Sequence, residues 1–261
     1  MRIRLDQFLV DEGYFESRAR ARAAVMEGMV SVDGRSDVKP GTQVGTPVRV
    51  EVREQASRYV SRGGLKLEGA LEDFGIDVAG MSVLDVGAST GGFTDCLLQH
   101  GAARVIALDV GKGQLHWKLR QDERVTVLER FNVRELRPGD LPLEPDLATM
   151  DVSFISLEKV TEPVIGSLAP GGEVLALVKP QFEAGRGMAP RGVVRDAEVH
   201  LEVLRALKRW LESRSLTLEA VTPSRIRGPK GNIEFFIRVT RGRAASDEDL
   251  AKAVEKAHSQ A

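Results

Sequence analysis

Val83-Leu84-Asp85-Val86-Gly87-Ala88-Ser89-Thr90-Gly91-Gly92-Phe93, followed by Ile106-Ala107-Leu108-Asp109, is the stretch that decides the fold. Its apolar start reads as a buried parallel strand, Gly-Ala-Ser-Thr-Gly-Gly as a tight turn, and Phe93 to His100 as a helix stopped by Gly101. Glycines let backbone N–H groups approach a ligand. Asp109, at the carboxyl end of the next apolar run, stands where a doubly wound sheet places an acid to accept hydrogen bonds from ribose hydroxyls. Together they describe a nucleotide-type cofactor pocket.

Outward from that turn, apolar runs near 83–86, 104–108, 125–128, 146–150 and 173–178 alternate with helical segments, the βαβ pattern of a parallel sheet. Leu216 to Val221 and Ile233 to Val239 have only a Pro/Gly/Arg/Lys loop between them, so they are expected to pair antiparallel. Before residue 60 the pattern changes. Leu5, Phe8 and Leu9 define a helix ending at Gly13; Ser17 caps a second, with Ala21, Ala24 and Val25 on one face; and Val30/Val32 and Val48/Val50/Val52 alternate as short strands around Asp33-Gly34. The expected fold is α/β: a Rossmann-like, mostly parallel sheet with an antiparallel last strand (61–243), preceded by a small α+β domain (1–52) and a linker (53–60). A helix opened by Ser246-Asp247-Glu248-Asp249 follows, in a tail over 244–261.

The turn also selects the cofactor. A dinucleotide fingerprint needs glycine two residues after the first, and this chain has Ser89 there; a P-loop needs Gly-Lys-Ser/Thr, which is missing. Asp-x-Gly-x-x-x-Gly-Gly with a second acid one βα unit later resembles the S-adenosylmethionine (SAM) pocket of methyltransferases. That reading puts Asp85, Gly87, Ala88, Ser89, Gly91, Gly92, Phe93, Asp109 and Val110 in the cofactor set.

Composition limits the alternatives. A net charge of −1 over 261 residues excludes a polybasic chain, so any RNA-binding surface is local. The single cysteine, Cys96, forms no intrachain disulfide and fits a reducing cytoplasm. No signal peptide opens the chain and the longest purely apolar runs are about five residues, so no membrane partner is expected. The 4 histidines lack the paired spacing of a zinc site, so no metal is expected. Oligomeric state is not legible.

In the N-terminal unit, Arg18 and Arg22 share a helix face with Arg20 beside them and Arg4 nearby. Like charges at i, i+4 repel unless an anion receives them. A solvated face balanced by Glu16 and Glu27 is the bland alternative. Arg4-Leu5-Asp6, Gly13, Ser17-Arg18, Ala21 and Gly28-Met29-Val30-Ser31-Val32-Asp33-Gly34 resemble the alpha-L RNA-binding motif, which implies RNA as the ligand.

The reaction type is read at the strand ends. Asp151-Val152-Ser153-Phe154 lacks the Asn/Asp-Pro-Pro-aromatic turn of amino-directed methyltransferases. Cys96, inside an amphipathic helix, reads as a core residue and not as the nucleophile of a carbon-5 enzyme. An oxygen acceptor remains. Lys66, Asp151, Lys179 and Glu234 form a candidate set in which a crowded, partly desolvated lysine, oriented by a carboxylate, handles the proton of a ribose 2′-hydroxyl. Lys179 is the expected base or alkoxide stabiliser, tuned by Lys66 and Asp151, while Glu234 bonds the hydroxyl or a lysine.

This set, with Ser61-Arg62-Gly63-Gly64-Leu65-Lys66-Leu67, Ala107-Leu108-Asp109-Val110-Gly111-Lys112-Gly113-Gln114-Leu115 and Lys179-Pro180-Gln181-Phe182-Glu183, resembles the FtsJ-like ribose 2′-O-methyltransferases. With the alpha-L module in front, the chain resembles the TlyA (haemolysin A) family over nearly all residues. The resemblance implies SAM-dependent 2′-O-methylation of cytidines in ribosomal RNA, ribosomal subunits as partners and a cytoplasmic location. It matches Lys66, Asp151, Lys179 and Glu234 to the catalytic tetrad, and Gly87, Phe93, Asp109 and Asn132 to cofactor positions. One departure is Ser57-Arg58-Tyr59-Val60, where some members carry Arg-x-Trp-Val. The competing readings are a membrane-active cytolysin and a catalytically silent ribosome assembly factor.

Overall fold

The structure, a computed structural model, describes residues 2–15, 17–26, 28–45, 47–52, 58–185 and 187–259. Two compact units divide between Arg58 and Tyr59. Glu16, Glu27 and most of the expected linker (53–57) lie outside the described residues.

In the first unit β1 (Arg2–Arg4) leads into α1 (Leu5–Asp11), followed by α2 (Arg18–Met26), β2 (Val30–Val32), β3 (Gln43–Gly45) and β4 (Val50–Val52). Ser17 Oγ accepts the Arg20 N–H at 3.3 Å, the expected cap. Leu5, Phe8 and Leu9 of α1 pack on Ala21, Ala24 and Val25 of α2 and on Val30, Val32 and Val44. Two antiparallel pairs form, β2–β4 as the alternation implies and β1–β3, which the sequence reading did not include.

The second unit contains α3 (Arg62–Phe74), β5 (Ser82–Val86), α4 (Gly92–Gln99), β6 (Arg104–Asp109), α5 (Trp117–Arg120), β7 (Val125–Glu129), β8 (Leu147–Met150), α6 (Thr161–Ile165), β9 (Glu173–Val178), α7 (Pro180–Glu183), α8 (Ala197–Ser213), β10 (Thr217–Pro223), β11 (Phe235–Thr240) and α9 (Asp247–Ser259). The strands form one sheet in the order β10-β11-β9-β8-β5-β6-β7. The five strands from β9 to β7 run parallel, while β11 is antiparallel to both β9 and β10. Glu234 therefore immediately precedes the last strand, where the sequence reading had it begin that strand.

Alternate strand residues serve opposite faces. Leu84, Val86, Ile106, Leu108, Ala148 and Met150 pack with Leu204, Leu207 and Leu211 of α8 and Leu250 and Val254 of α9. Val83, Val105, Ala107, Leu147 and Leu175 pack with Leu67 and Leu71 of α3 and with Cys96 and Leu97 of α4. Cys96 is thus a core residue. Tyr59, at the end of the expected linker, is only 2% exposed and belongs to this second core; its hydroxyl donates to Glu68 at 3.0 Å. The chain passes from β5 to β6 and β7 on one side, then returns to β8 on the other. The carboxyl ends of β5 and β8 therefore flank a topological switch point, the place where open sheets of this kind bind ligands.

Candidate active site

The turn after β5 is held by left-handed backbone: Gly87 at φ 81°, Ser89 at φ 47° and Gly91 at φ 96°. Gly87 admits no substitute, since a Cβ there would stand 2.6 Å from the Asp151 carbonyl and would push the β8 loop away. Gly91 and Gly92 serve packing: a Cβ at 91 would meet Leu115 and Leu119, and one at 92 would meet the backbone of Gly63 and Gly64. Phe93, 3% exposed, lies with its ring centroid 6.0 Å from that of Phe236. Ala88, also buried, is held through its N–H to the Leu108 carbonyl.

The two acids of the motif are in unlike settings. Asp85 is fully buried beneath the turn, where Thr94 Oγ1 and Thr149 Oγ1 donate to its two oxygens at 2.6 and 3.2 Å; burial pushes its carboxyl up to about 7. It braces the turn from within the sheet and is sealed from any ligand in the cleft. Asp109 is half-exposed. Its Oδ2 accepts the Ser89 N–H at 2.8 Å and its Oδ1 the Gly111 N–H at 2.6 Å. A carboxylate offers about four acceptor positions, so two stay available for a vicinal diol. Asn132, beyond β7, caps a short 3₁₀ turn by accepting the Arg134 N–H, and the Phe131 N–H donates to the Asp109 carbonyl, which brings that loop to the same rim. Val110 is 74% exposed beside Asp109. A fixed carboxylate with free acceptor positions, beside a turn that excludes side chains, fits the ribose of an adenosyl cofactor.

Lys66, Asp151, Lys179 and Glu234 come from α3, the residue after β8, the residue after β9 and the residue before β11, and they converge as two ion pairs. Lys66 Nζ donates to Glu234 Oε2 at 2.6 Å, with the two side chains 10% and 0% exposed. Lys179 Nζ lies 2.5 Å from Asp151 Oδ1 and donates to Ser153 Oγ at 2.9 Å. The pairs form one cluster, because Lys179 and Asp151 both act electrostatically on Glu234; burial raises the Glu234 carboxyl while Lys66 and Lys179 oppose that rise. Glu234 Oε1 is buried with no hydrogen-bond donor of its own, whereas Asp151 Oδ1 is taken up by the Lys179 ammonium. An orphaned acceptor of this kind beside two lysines provides for a hydroxyl that arrives with a substrate.

Two features of the site escaped the sequence reading as site residues. Phe154 is 80% exposed, stands at φ 65° and has its ring centroid 4.9 Å from that of Phe182. A phenylalanine in left-handed backbone, offered to solvent directly after Ser153 and three residues after Asp151, both partners of Lys179, is costly on both counts and marks a functional loop. Glu183 anchors this loop by accepting the Leu157 N–H at 2.9 Å, and burial raises its carboxyl. The signal available in the sequence was an aromatic directly after Asp151-Val152-Ser153, the position at which other methyltransferases carry their aromatic turn.

In the first unit the buried carboxylate of Asp6 receives the Arg4 guanidinium through two bonds of 3.0 and 2.8 Å and Arg18 at 3.3 Å. The anion that the arginine spacing called for is thus in part internal. Arg4 holds the Asp6 carboxyl below its usual range. A shallow cavity of about 310 Å³ is lined by Arg2, Ile3, Arg4, Gln7, Arg18 and Gln43. Arg22, exposed on α2, has no carboxylate partner among the described residues.

Residues 59–241 match the FtsJ-like methyltransferase model and residues 3–46 the S4 domain model. The 16S/23S rRNA (cytidine-2′-O)-methyltransferase TlyA of Mycobacterium tuberculosis is 44% identical over 263 residues, 99% of this chain and 98% of that protein. Hemolysin A of Brachyspira hyodysenteriae is 41% identical over 237 residues, 90% of this chain and 98% of its own. A solved structure described as a hemolysin from Streptococcus thermophilus aligns with a TM-score of 0.77 at 41% identity, covering 99% of this chain and 96% of that one. The chain belongs to the TlyA family, in which an S4 domain precedes an FtsJ-like methyltransferase domain.

Proposed function

We propose that this protein transfers a methyl group from SAM to the ribose 2′-hydroxyl of a cytidine in ribosomal RNA. The observation that carries the reading is the convergence of two lysine–carboxylate pairs, with one orphaned buried oxygen on Glu234, at the carboxyl ends of the strands beside the glycine turn. SAM, when bound, supplies an electrophilic methyl carbon. Asp109, Asn132 and Val110 hold its nucleoside end, and Gly87, Ala88 and Ser89 leave room for its amino-acid end. Asp85, Gly91, Gly92 and Phe93 shape the turn from behind.

The acceptor hydroxyl sits between Lys179 and the free oxygen of Glu234. As the 2′-oxygen forms its bond to the methyl carbon, the carbon–sulfur bond breaks with its electron pair left on sulfur, and the hydroxyl proton passes to Lys179. To accept it Lys179 must stand as the neutral amine, its previous proton having been released, with Asp151 and Ser153 holding it in place. The charge of Lys66, fixed by Glu234, stabilises the oxygen as the proton leaves. Phe154, backed by Phe182, offers a platform on which the base of the target nucleotide stacks. The first unit (1–52) binds RNA phosphates through Arg4, Arg18, Arg20 and Arg22, and the second (61–243) carries out the transfer. No helix among the described residues is long and apolar enough to cross a membrane. Cytoplasmic ribosomal subunits are the partners this reading assigns. The test is nucleoside mass spectrometry of ribosomal RNA incubated with the purified protein and SAM. The reading requires new 2′-O-methylcytidine; base-methylated nucleosides, or none, would contradict it.

A further inference from the structure

Pro190–Gly192 and Pro229–Gly231 are two short 3₁₀ turns with one sequence pattern, proline, a basic residue, glycine. Their central residues share one unusual backbone geometry: Arg191 stands at φ 58°, ψ 18° and Lys230 at φ 58°, ψ 19°. Left-handed backbone is unfavourable for a long side chain and persists only where the surroundings enforce it. Asn232, 2% exposed, enforces it at both turns. Its Nδ2 donates to the carbonyls of Gly192 and Pro229 at 3.0 Å each, and its Oδ1 accepts the Val194 N–H at 3.2 Å. Lys230 Nζ crosses from one turn to the other and donates to the Arg191 carbonyl at 2.8 Å. Arg227 Nη1 joins them through the Gly231 carbonyl at 3.2 Å.

The result is one stapled lip carrying three cations. Arg191, Arg227 and Lys230 bond only main-chain carbonyls or solvent, and none has a carboxylate partner among the described residues. The nearby Arg225, by contrast, is held between Glu72 and Asp73. The lip also adjoins the reacting centre. Gly228, whose N–H donates to the Asn232 carbonyl at 2.9 Å, lies so close to Glu234 that a Cβ on it would stand 3.0 Å from Oε2. The short stretch Arg227 to Glu234 thus supplies two of the three cations, Arg227 and Lys230, and the carboxylate with the orphaned oxygen.

Three cations without carboxylate partners among the described residues suit an anionic ligand, and the proposed substrate carries one next to its reacting group, since the 2′-hydroxyl of an RNA ribose is flanked by its own 3′-phosphodiester. We propose that the stapled Pro-Arg-Gly and Pro-Lys-Gly turns, with Arg227, form a phosphate receptor for the linkage next to the methylated ribose. This rests on the ribose methyltransferase reading. Backbone phosphates fix register without reading sequence, so the receptor sets which 2′-oxygen along the strand reaches Lys179 and Glu234.

The test uses the full chain and a ribosomal RNA target strand in which the linkage 3′ to the acceptor nucleotide is either native or an uncharged methylphosphonate. A strand carrying the neutral linkage several nucleotides away serves as control. For the wild-type protein the adjacent neutral linkage is expected to lower kcat/KM roughly ten- to hundredfold and the distant one much less. The variant Arg191→Asn/Lys230→Asn keeps residues that tolerate left-handed backbone. It should show a similar loss on native RNA and little further loss on the neutral linkage. Equal losses in wild type and variant, or no loss in wild type, would overturn the receptor. Failure to form any 2′-O-methyl product on native RNA would instead refute the activity on which it rests.

Discussion

Two clusters in this molecule pair carboxylates with basic groups and use the pairing in opposite ways. In the N-terminal unit Asp6 is buried while its partners Arg4 and Arg18 have side chains 48% and 55% exposed; the guanidinium bonds win and the carboxyl is held below its usual range. In the methyltransferase unit Lys66 and Glu234 are both buried; desolvation wins and the Glu234 carboxyl is raised. The first arrangement keeps its cations outward for an external anion. The second withdraws both signs from water, where a small change in proton position carries a large energy. Burial of the cation, more than the choice of partners, separates a binding surface from a reaction centre.

The largest expected effect breaks the buried side of this comparison. Lys179→Ala should lower single-turnover methyl transfer by roughly 10²–10⁴-fold while SAM and RNA binding stay near wild type. Lys179→Arg should not restore it, since guanidinium keeps its charge but does not give up a proton at accessible pH. Recovery of the rate in the arginine variant would reduce Lys179 to a fixed charge.

Asp85 extends the comparison to a buried carboxyl with no cation at all. Its folded value of about 7 lies above the ordinary 3.8, so the folded state binds the proton more tightly. Stability from this group is fully present below about pH 4 and is lost as pH rises toward 7. That change is worth on the order of 4 kcal/mol as a ceiling. Denaturant melts between pH 5 and 8 should show this decline in the wild type and a flatter profile in Asp85→Asn, whose amide stays neutral. Parallel profiles would assign the pH dependence elsewhere.

A smaller effect sharpens the exposed side. Arg22→Ala should reduce the slope of log affinity for RNA against log salt by about 1 without changing the melting temperature, because Arg22 has no carboxylate partner among the described residues. Arg4→Ala should reduce the slope and also the stability, since it leaves the buried carboxyl of Asp6 with the longer Arg18 contact in place of two short bonds. Matching stability losses in both variants would mean that α2's exposed face is structural.

Much of this was legible in the sequence. Apolar runs bounded by glycine turns gave the strands and their parallel and antiparallel pairing, because these follow from local pattern, whereas the strand order that creates the switch point is a property of the assembled sheet. The four lysine and carboxylate positions were recognisable by their places at strand ends and by family resemblance. What local pattern could not give was environment. Asp85 and Asp109 look alike in sequence, yet one is sealed by two threonines, one of them 64 residues away, and the other faces the cleft. The three-residue strands β1 and β3 are too short to show a period. His200 and His258, 58 residues apart, meet at 2.9 Å through the packing of α8 on α9, and spacing carried no trace of it. Left-handed Phe154, Arg191 and Lys230 are set by their loops, against the preference of their residue types.

The central claim is that the buried lysine–carboxylate cluster acts on a ribose hydroxyl. Its most direct test is a target RNA with a 2′-deoxy substitution at the acceptor nucleotide alone, assayed with the purified protein and SAM for binding and for methyl incorporation. The account predicts that this RNA binds as the native strand does and accepts no methyl group. Methyl incorporation at the deoxy nucleotide would move the acceptor to the base and contradict the account.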